Sequence, residues 1–165
     1  MKVQRKRRRE YRTDYKKRIG YLKSDKPRLV FRLSNKKAIS QYVQSQEAQD
    51  SIEINLDSKE LLKYGWPENF AGSLKSITAC YLLGYLIGKK IIKEKKETPI
   101  LDFGMINMLW KTKPYSFLKG VIDSGIKLEC PEEAFPEQER IQGKNLKQDF
   151  SSNFEKIKSK IDKEI

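Results

Sequence analysis

Among the 165 residues, the side chains best suited to chemistry are the cations at the start of the chain. Arg5, Lys6, Arg7, Arg8, Arg9 and Arg12 are mostly arginine, whose planar guanidinium grips phosphate through paired hydrogen bonds and stacks on bases. Tyr11, Tyr15 and Tyr21 are interleaved with them, and aromatic rings beside cations suit the unpaired bases of RNA. The series continues through Arg18, Lys26, Arg28 and Arg32 into segments that read as folded, where a solubilising tail would stop. Met1 to Lys37 holds 16 basic and 3 acidic residues and so carries the whole net charge of +13, while Ala38 to Ile165 is balanced at 19 of each. A cationic arm on a neutral body fits an anionic polymer or surface rather than a small acidic metabolite. If about eight phosphates are engaged, affinity should fall by roughly 10³ to 10⁵ between about 50 and 200 mM salt. RNA is favoured over duplex DNA because no recognition helix or dimer zipper is visible.

Other chemistries are thinly supported. With no histidine in the chain, Ser-His-Asp and Cys-His catalysis, His-based zinc sites and imidazole switching are removed. Cys80 and Cys130 are too few for a four-thiolate site, and without an apolar leader they suit a reducing, cytoplasmic setting. The longest apolar run, Ile77 to Gly88, is shorter than the roughly 20 residues a membrane span needs and reads as a core helix. Asp102-Phe103-Gly104 matches the kinase metal-binding tripeptide, but no Gly-rich phosphate loop accompanies it. Asp102 with Asp57, Asp123 or Glu133 could in principle hold Mg²⁺, although their separations follow no ligand pattern. The alternative from another class is therefore a small Mg²⁺-dependent RNA-processing nuclease using Asp102 and Asp123. Cys80 and the Tyr81/Tyr85 pair read as packing, and Lys89 to Lys96 as a solvated helix end.

The elements that must position the cations follow from hydrophobic spacing. Met1 to Arg12 lacks apolar periodicity and is expected to be disordered without its partner. Thr13 is placed to cap a short helix carrying Tyr15, Ile19 and Leu22 on one stripe and Lys16, Lys17, Arg18 and Lys23 elsewhere. Three strands follow: Arg28 to Leu33, Lys37 to Ser45 after a Ser34-Asn35-Lys36-Lys37 turn, and Asp50 to Asp57 with Ile52, Ile54 and Leu56 inward. Their short connections predict an antiparallel meander with one covered face. A short helix spans Lys59 to Tyr64, and a long one, apolar nearly all round, runs from about Leu74 to Lys95. Its Gly84 and Gly88 suit close approach of helix to sheet. Pro99 to Phe103 reads as a buried strand, and strand, long helix, strand implies a parallel crossover. Tyr115 to Gly125 is amphipathic helix, Ile126 to Cys130 a short fifth strand, and Ser152 with Glu155 a capping box before Phe154, Ile157, Ile161 and Ile165. Whether that last stripe rests on the body or on a partner is open.

Seven stretches in order resemble the archaeal and eukaryotic form of the large-subunit ribosomal protein that binds 5S rRNA, number eighteen in universal naming. They are R-R-R-E-Y-R-T-D-Y-K-K-R at Arg7 to Arg18, K-P-R-L-V-F-R-L-S-N-K at Lys26 to Lys36 and K-Y-G-W at Lys63 to Trp66. A-C-Y-L-L-G-Y-L-I-G-K-K follows at Ala79 to Lys90, then I-L-D-F-G at Ile100 to Gly104, F-L-K-G-V-I-D-S-G at Phe117 to Gly125, and F-P-E-Q-E-R-I-Q-G at Phe135 to Gly143. Large eukaryotic insertions are absent, which favours the archaeal type.

The resemblance implies an α/β fold: a three-strand antiparallel meander extended by a parallel crossover strand into a mixed sheet flanked by helices. It implies an arm and short helix over 1–25, a body over 26–143 and a C-terminal helical extension over 144–165. The implied role is structural and non-enzymatic, with no cofactor, membrane or small-molecule substrate, in the central protuberance of the cytoplasmic large subunit. The implied partners are 5S rRNA, large-subunit rRNA and neighbouring ribosomal proteins. By position, Arg7, Arg8, Arg9, Arg12, Thr13, Asp14, Tyr15 and Arg18 match the arm motif. Arg28, Arg32, Asn35 and Lys36 match the strand-turn segment, and Lys111, Lys113 and Lys119 a further RNA-reaching loop. Asp14, being acidic, should cap the helix or orient an arginine.

Overall fold

Alternating side chains build a four-stranded sheet in the computed structural model, which describes residues 3, 6–10, 13–47, 49–146 and 149–164. Strands β1 (Arg28–Leu33), β2 (Ala38–Gln46) and β3 (Gln49–Asp57) form the antiparallel meander, and β4 (Ile100–Asp102) pairs parallel to β1. The order is β3-β2-β1-β4, the mixed sheet expected from the strand, helix, strand pattern. Ser34 closes the first turn, its Oγ accepting from the Lys37 N–H at 3.0 Å and donating to the Lys37 carbonyl at 2.8 Å. The helices are α1 (Lys6–Arg9), α2 (Tyr15–Lys23), α3 (Ile77–Lys93), α4 (Lys113–Asp123), α5 (Gln138–Gln142) and α6 (Ser151–Glu164). α1 is a single helical turn inside the segment expected to be disordered.

The core lies between the sheet's inner face and α3, which packs against β2 and β3 as well as α4, α5 and α6. Phe31 and Ala38 are fully buried, and Tyr42 is 2% exposed with its hydroxyl donating to the Glu97 carbonyl. Phe31 stacks on Phe117 of α4 at 4.4 Å and meets Phe103 edge-on at 5.9 Å, a packing that disfavours any smaller side chain there. Phe154, Ile157 and Ile161 of α6 join this same core, so the C-terminal helix rests on the body.

Several expectations are corrected by packing. Ile52 is 53% exposed, because β2 and β3 slip by one residue at Tyr42/Val43: Tyr42 pairs with Ile54 but Val43 with Ile52, leaving Glu53 as a bulge. A one-residue slip sends every later side chain of the strand to the opposite face. Residues 126–130 form no strand; Ile126 instead fills the core as the chain leaves α4. Gly84 and Gly88 face α4 rather than the sheet, since a Cβ on Gly84 would lie 2.1 Å from the Phe117 carbonyl oxygen. Asp14, not Thr13, caps α2, its carboxylate accepting from the N–H groups of Lys16 at 3.0 Å and Lys17 at 3.1 Å. A charged acceptor is the stronger partner for a helix N-terminus. α3 begins later than expected, at Ile77 after the cap Ser76, whose hydroxyl accepts from Ala79 N–H. α6 begins at Ser151, whose N–H is taken by Asp149, so Ser152 lies inside the helix rather than at its cap.

Candidate nucleic-acid interface

The sheet's outer face is built by the other half of each strand's alternation. Arg28, Val30 and Arg32 of β1, Val43 of β2 and Ile52 of β3 all turn away from α3 toward α2, which leaves a cleft of about 580 Å³ between helix and sheet. α2 buries none of its residues fully. Polar contacts hold it: the Tyr21 hydroxyl donates to the Leu101 carbonyl at 3.3 Å, and Arg18 faces Asp50 at 3.6 Å. The Arg28 guanidinium lies 6.0 Å from the centre of the Tyr21 ring. Burial, and behind it the Asp102 charge, raises the Tyr21 phenol above its ordinary value, so the ring stays a neutral donor.

Beneath α2 the charges are internally balanced. Arg28, 7% exposed, donates to Asp50 at 2.7 Å, Asp102 at 3.4 Å and the Ser45 hydroxyl at 3.3 Å. Arg32 donates to the Asp102 carboxylate at 3.1 Å and to its backbone carbonyl at 2.7 Å. Asp102 completes its shell with the Gly104 N–H at 2.8 Å. Burial alone would raise the Asp50 carboxyl, but hydrogen bonds from Ser45 and Arg28 and the two guanidinium charges outweigh it and hold it below its ordinary 3.8. Two strands that are not sequence neighbours, β1 and β4, thus place Arg28 and Arg32 around one carboxylate.

The solvent side is different. Lys16, Lys17 and Lys23 of α2, Lys26 before β1 and Lys36 in the β1–β2 turn are exposed, and among the described residues none makes an ion pair. α2 therefore carries exposed cations, Lys17 among those lining the cleft, above a base whose Arg28 and Arg32 pair with Asp50 and Asp102.

The expected site residues fall into three groups. Arg5, Tyr11 and Arg12 lie outside the described residues, and Arg7 and Arg8 are described only as backbone of α1, where Arg9 is exposed. Thr13, Tyr15, Arg18, Lys26, Asn35 and Lys36 come to the α2 side of the sheet or to the adjoining turn, with Thr13 and Tyr15 half-buried and the others exposed. Arg28 and Arg32 sit in the network below. Lys111 and Lys113 stand at the start of α4 and Lys119 lies further along it, with Lys111 Nζ 3.8 Å from Glu137 and Lys119 Nζ 3.2 Å from Asp123. Lys16 and Lys17 were legible as basic residues, but that both stay exposed while Lys17 lines the cleft depends on which side of α2 docks. The partnership of Asp50 and Asp102 with the arginines had no local signal, because Asp102 needs the β1–β4 register and Asp50 the β1–β2 and β2–β3 pairings.

The carboxylates of the nuclease alternative are not brought together as a metal centre. Asp102 is committed to Arg28 and Arg32, whereas Asp123 accepts from the Tyr81 hydroxyl at 2.7 Å and pairs with Lys119. Among the described residues no three His, Cys, Asp or Glu side chains gather into a group that could hold a metal ion.

Known proteins share this arrangement of sequence. The family described as ribosomal large subunit proteins 60S L5 and 50S L18 matches residues 1–98. The large ribosomal subunit protein uL18 of Methanosphaera stadtmanae is 39% identical over 147 residues, covering 89% of this chain and 74% of that protein. That of Korarchaeum cryptofilum is 40% identical over 145 residues, covering 88% and 72%, and that of Methanothermobacter thermautotrophicus 30% over 184, covering 96% and 94%. With the match spanning the cationic first third, the sheet and the helices behind it, the chain belongs to the archaeal-type uL18 family of large-subunit ribosomal proteins, a structural and non-enzymatic family.

Proposed function

We propose that this protein binds 5S rRNA and helps anchor it in the central protuberance of the large ribosomal subunit, in contact with large-subunit rRNA and neighbouring proteins. The observation that carries this reading is the set of exposed lysines on α2 and the β1–β2 turn, which make no ion pair among the described residues, beside a sheet face where Arg28 and Arg32 pair with Asp50 and Asp102. Phosphates are met by Lys16, Lys17, Lys26 and Lys36 together with the arginines of the arm, Arg5, Arg7, Arg8, Arg9 and Arg12. Arg18 and Arg32, paired on one side, keep 46% and 42% of their side chains exposed for the same purpose. Arg28 positions α2 rather than touching RNA. Such contacts set affinity and register, and the shape of the RNA supplies selectivity. Lys113 adds a cation at the start of α4.

The test is filter binding of 5S rRNA across a salt series. Replacing Lys16, Lys17 and Lys36 by Gln should weaken binding and reduce the slope of log K against log salt by roughly 0.7 to 0.9 per lost phosphate contact. An unchanged slope with unchanged affinity would refute this interface.

A further inference from the structure

A second surface of different character is the apolar loop between β4 and α4. Met105, Met108, Leu109 and Trp110 are 53%, 38%, 63% and 57% exposed, a run of large apolar side chains facing solvent. Exposed apolar runs of this kind mark interaction surfaces. The loop is tied down: the Lys111 N–H donates to the Ala134 carbonyl at 2.8 Å, and the Thr112 hydroxyl donates to the Leu109 carbonyl. Beside it lies a concavity of about 660 Å³ walled by Trp110, Phe135 and Pro136 and rimmed by Glu132, Glu133 and Glu137.

The charges around that concavity decide its occupant. Its two lysines are already matched, Lys111 with Glu137 at 3.8 Å, and Lys119 with Asp123 at 3.2 Å while lying 5.2 Å from the centre of the Phe135 ring. Glu132 and Glu133 are exposed and make no ion pair among the described residues. The local excess is thus negative, on a chain whose total is +13. Phosphate is repelled here, and a cation is attracted both by free carboxylates and by the face of an exposed indole.

We propose that the Trp110–Phe135 concavity is a docking site for an extended, cationic segment of another protein. An Arg or Lys of that segment lies over Trp110 between Glu132 and Glu133, and its apolar neighbours cover Met108 and Leu109. The site is separate from the α2 face and faces a different chemistry.

Trp110 is its own reporter, since the other tryptophan, Trp66, is 4% exposed and supplies a constant background. The probe is a capped synthetic peptide of alternating Arg and Leu, with a Glu-for-Arg peptide as control, titrated against the full chain. The Arg-Leu peptide should shift Trp110 emission saturably and the control should not. The double variant Glu132→Gln/Glu133→Gln, which leaves the Lys111–Glu137 pair intact, should weaken binding roughly five- to tenfold. Lys16→Gln/Lys17→Gln should leave it unchanged. Binding of both peptides alike, or no loss in the double glutamate variant, would overturn the proposal. So would saturable quenching by oligouridylate that strengthens when the glutamates are neutralised, which would assign the surface to RNA. Self-association by sedimentation that the double variant abolishes would assign it to a second copy of the chain instead.

Discussion

Replacing Asp102 by Asn removes one charge from a position where it cannot be replaced by water. The side chain is 8% exposed; one oxygen accepts from Arg32 at 3.1 Å and from Gly104 N–H at 2.8 Å, the other from Arg28 at 3.4 Å. Asparagine can keep the first oxygen's two partners, but it turns an NH₂ donor toward the Arg28 guanidinium. The Arg28 side chain is itself 8% exposed, and its Nε already lacks a partner among the described residues. Leaving a buried charge unmatched costs about 3–5 kcal/mol. Here Asp50 still holds Arg28 at 2.7 Å and Arg32 keeps 42% of its side chain in solvent, which lowers the expected loss to about 2–3 kcal/mol. For a chain of this size that is a drop in melting temperature of roughly 4–12 °C. Urea unfolding should show a lower midpoint at constant slope. Because the exposed lysines are untouched, 5S rRNA binding should weaken without a change in its salt slope. A stability loss under about 0.5 kcal/mol would refute the claim that Asp102 organises the base of α2.

Four further outcomes are expected. Gly120→Ala places a Cβ 2.1 Å from the Tyr81 carbonyl oxygen, a backbone atom that cannot yield, and should destabilise by about 3 kcal/mol or more in urea unfolding. Gly20→Ala, with nothing within 4 Å, should instead stabilise by about 0.5–1 kcal/mol, since Ala loses less backbone freedom in α2. A thiol reagent should modify Cys130 first, because Cys80 is fully buried and burial pushes its thiol up to about 12; equal native-state rates would contradict the packing. In acid, Asp50, Asp57 and Asp162 hold carboxyls below the ordinary 3.8, so the stability they contribute is complete above that value and is lost as pH falls through and below it. Asp50→Asn should flatten the acid limb of a melting-temperature profile, and a profile that keeps the full slope would count against the Asp50 pairing.

What could be read along the chain was whatever depends on neighbours in sequence. β1 was legible because Leu29, Phe31 and Leu33 alternate with Arg28, Val30 and Arg32, and a strand's faces follow from its period. α3 was legible as central because its apolar residues leave no polar side. The cationic first segment was plain from counting. The errors share one cause. Ile52 left the core because of a bulge between two strands, Gly84 and Gly88 met α4 because of helix packing, and the span 126–130 stayed irregular because no strand edge receives it.

The candidate interface divides along the same line. Sequence determined that a cationic arm with interleaved tyrosines precedes an α/β body, since charge and periodicity are properties of the chain itself. Only the tertiary structure decided which cations are available. Parallel pairing of β1 with β4 brings Asp102 beneath Arg28 and Arg32, and the β2–β3 hairpin brings Asp50 to the same place. Coulomb interactions act through space, so an arginine's role is set by the carboxylate the fold delivers, while Lys16, Lys17 and Lys36 make no ion pair among the described residues.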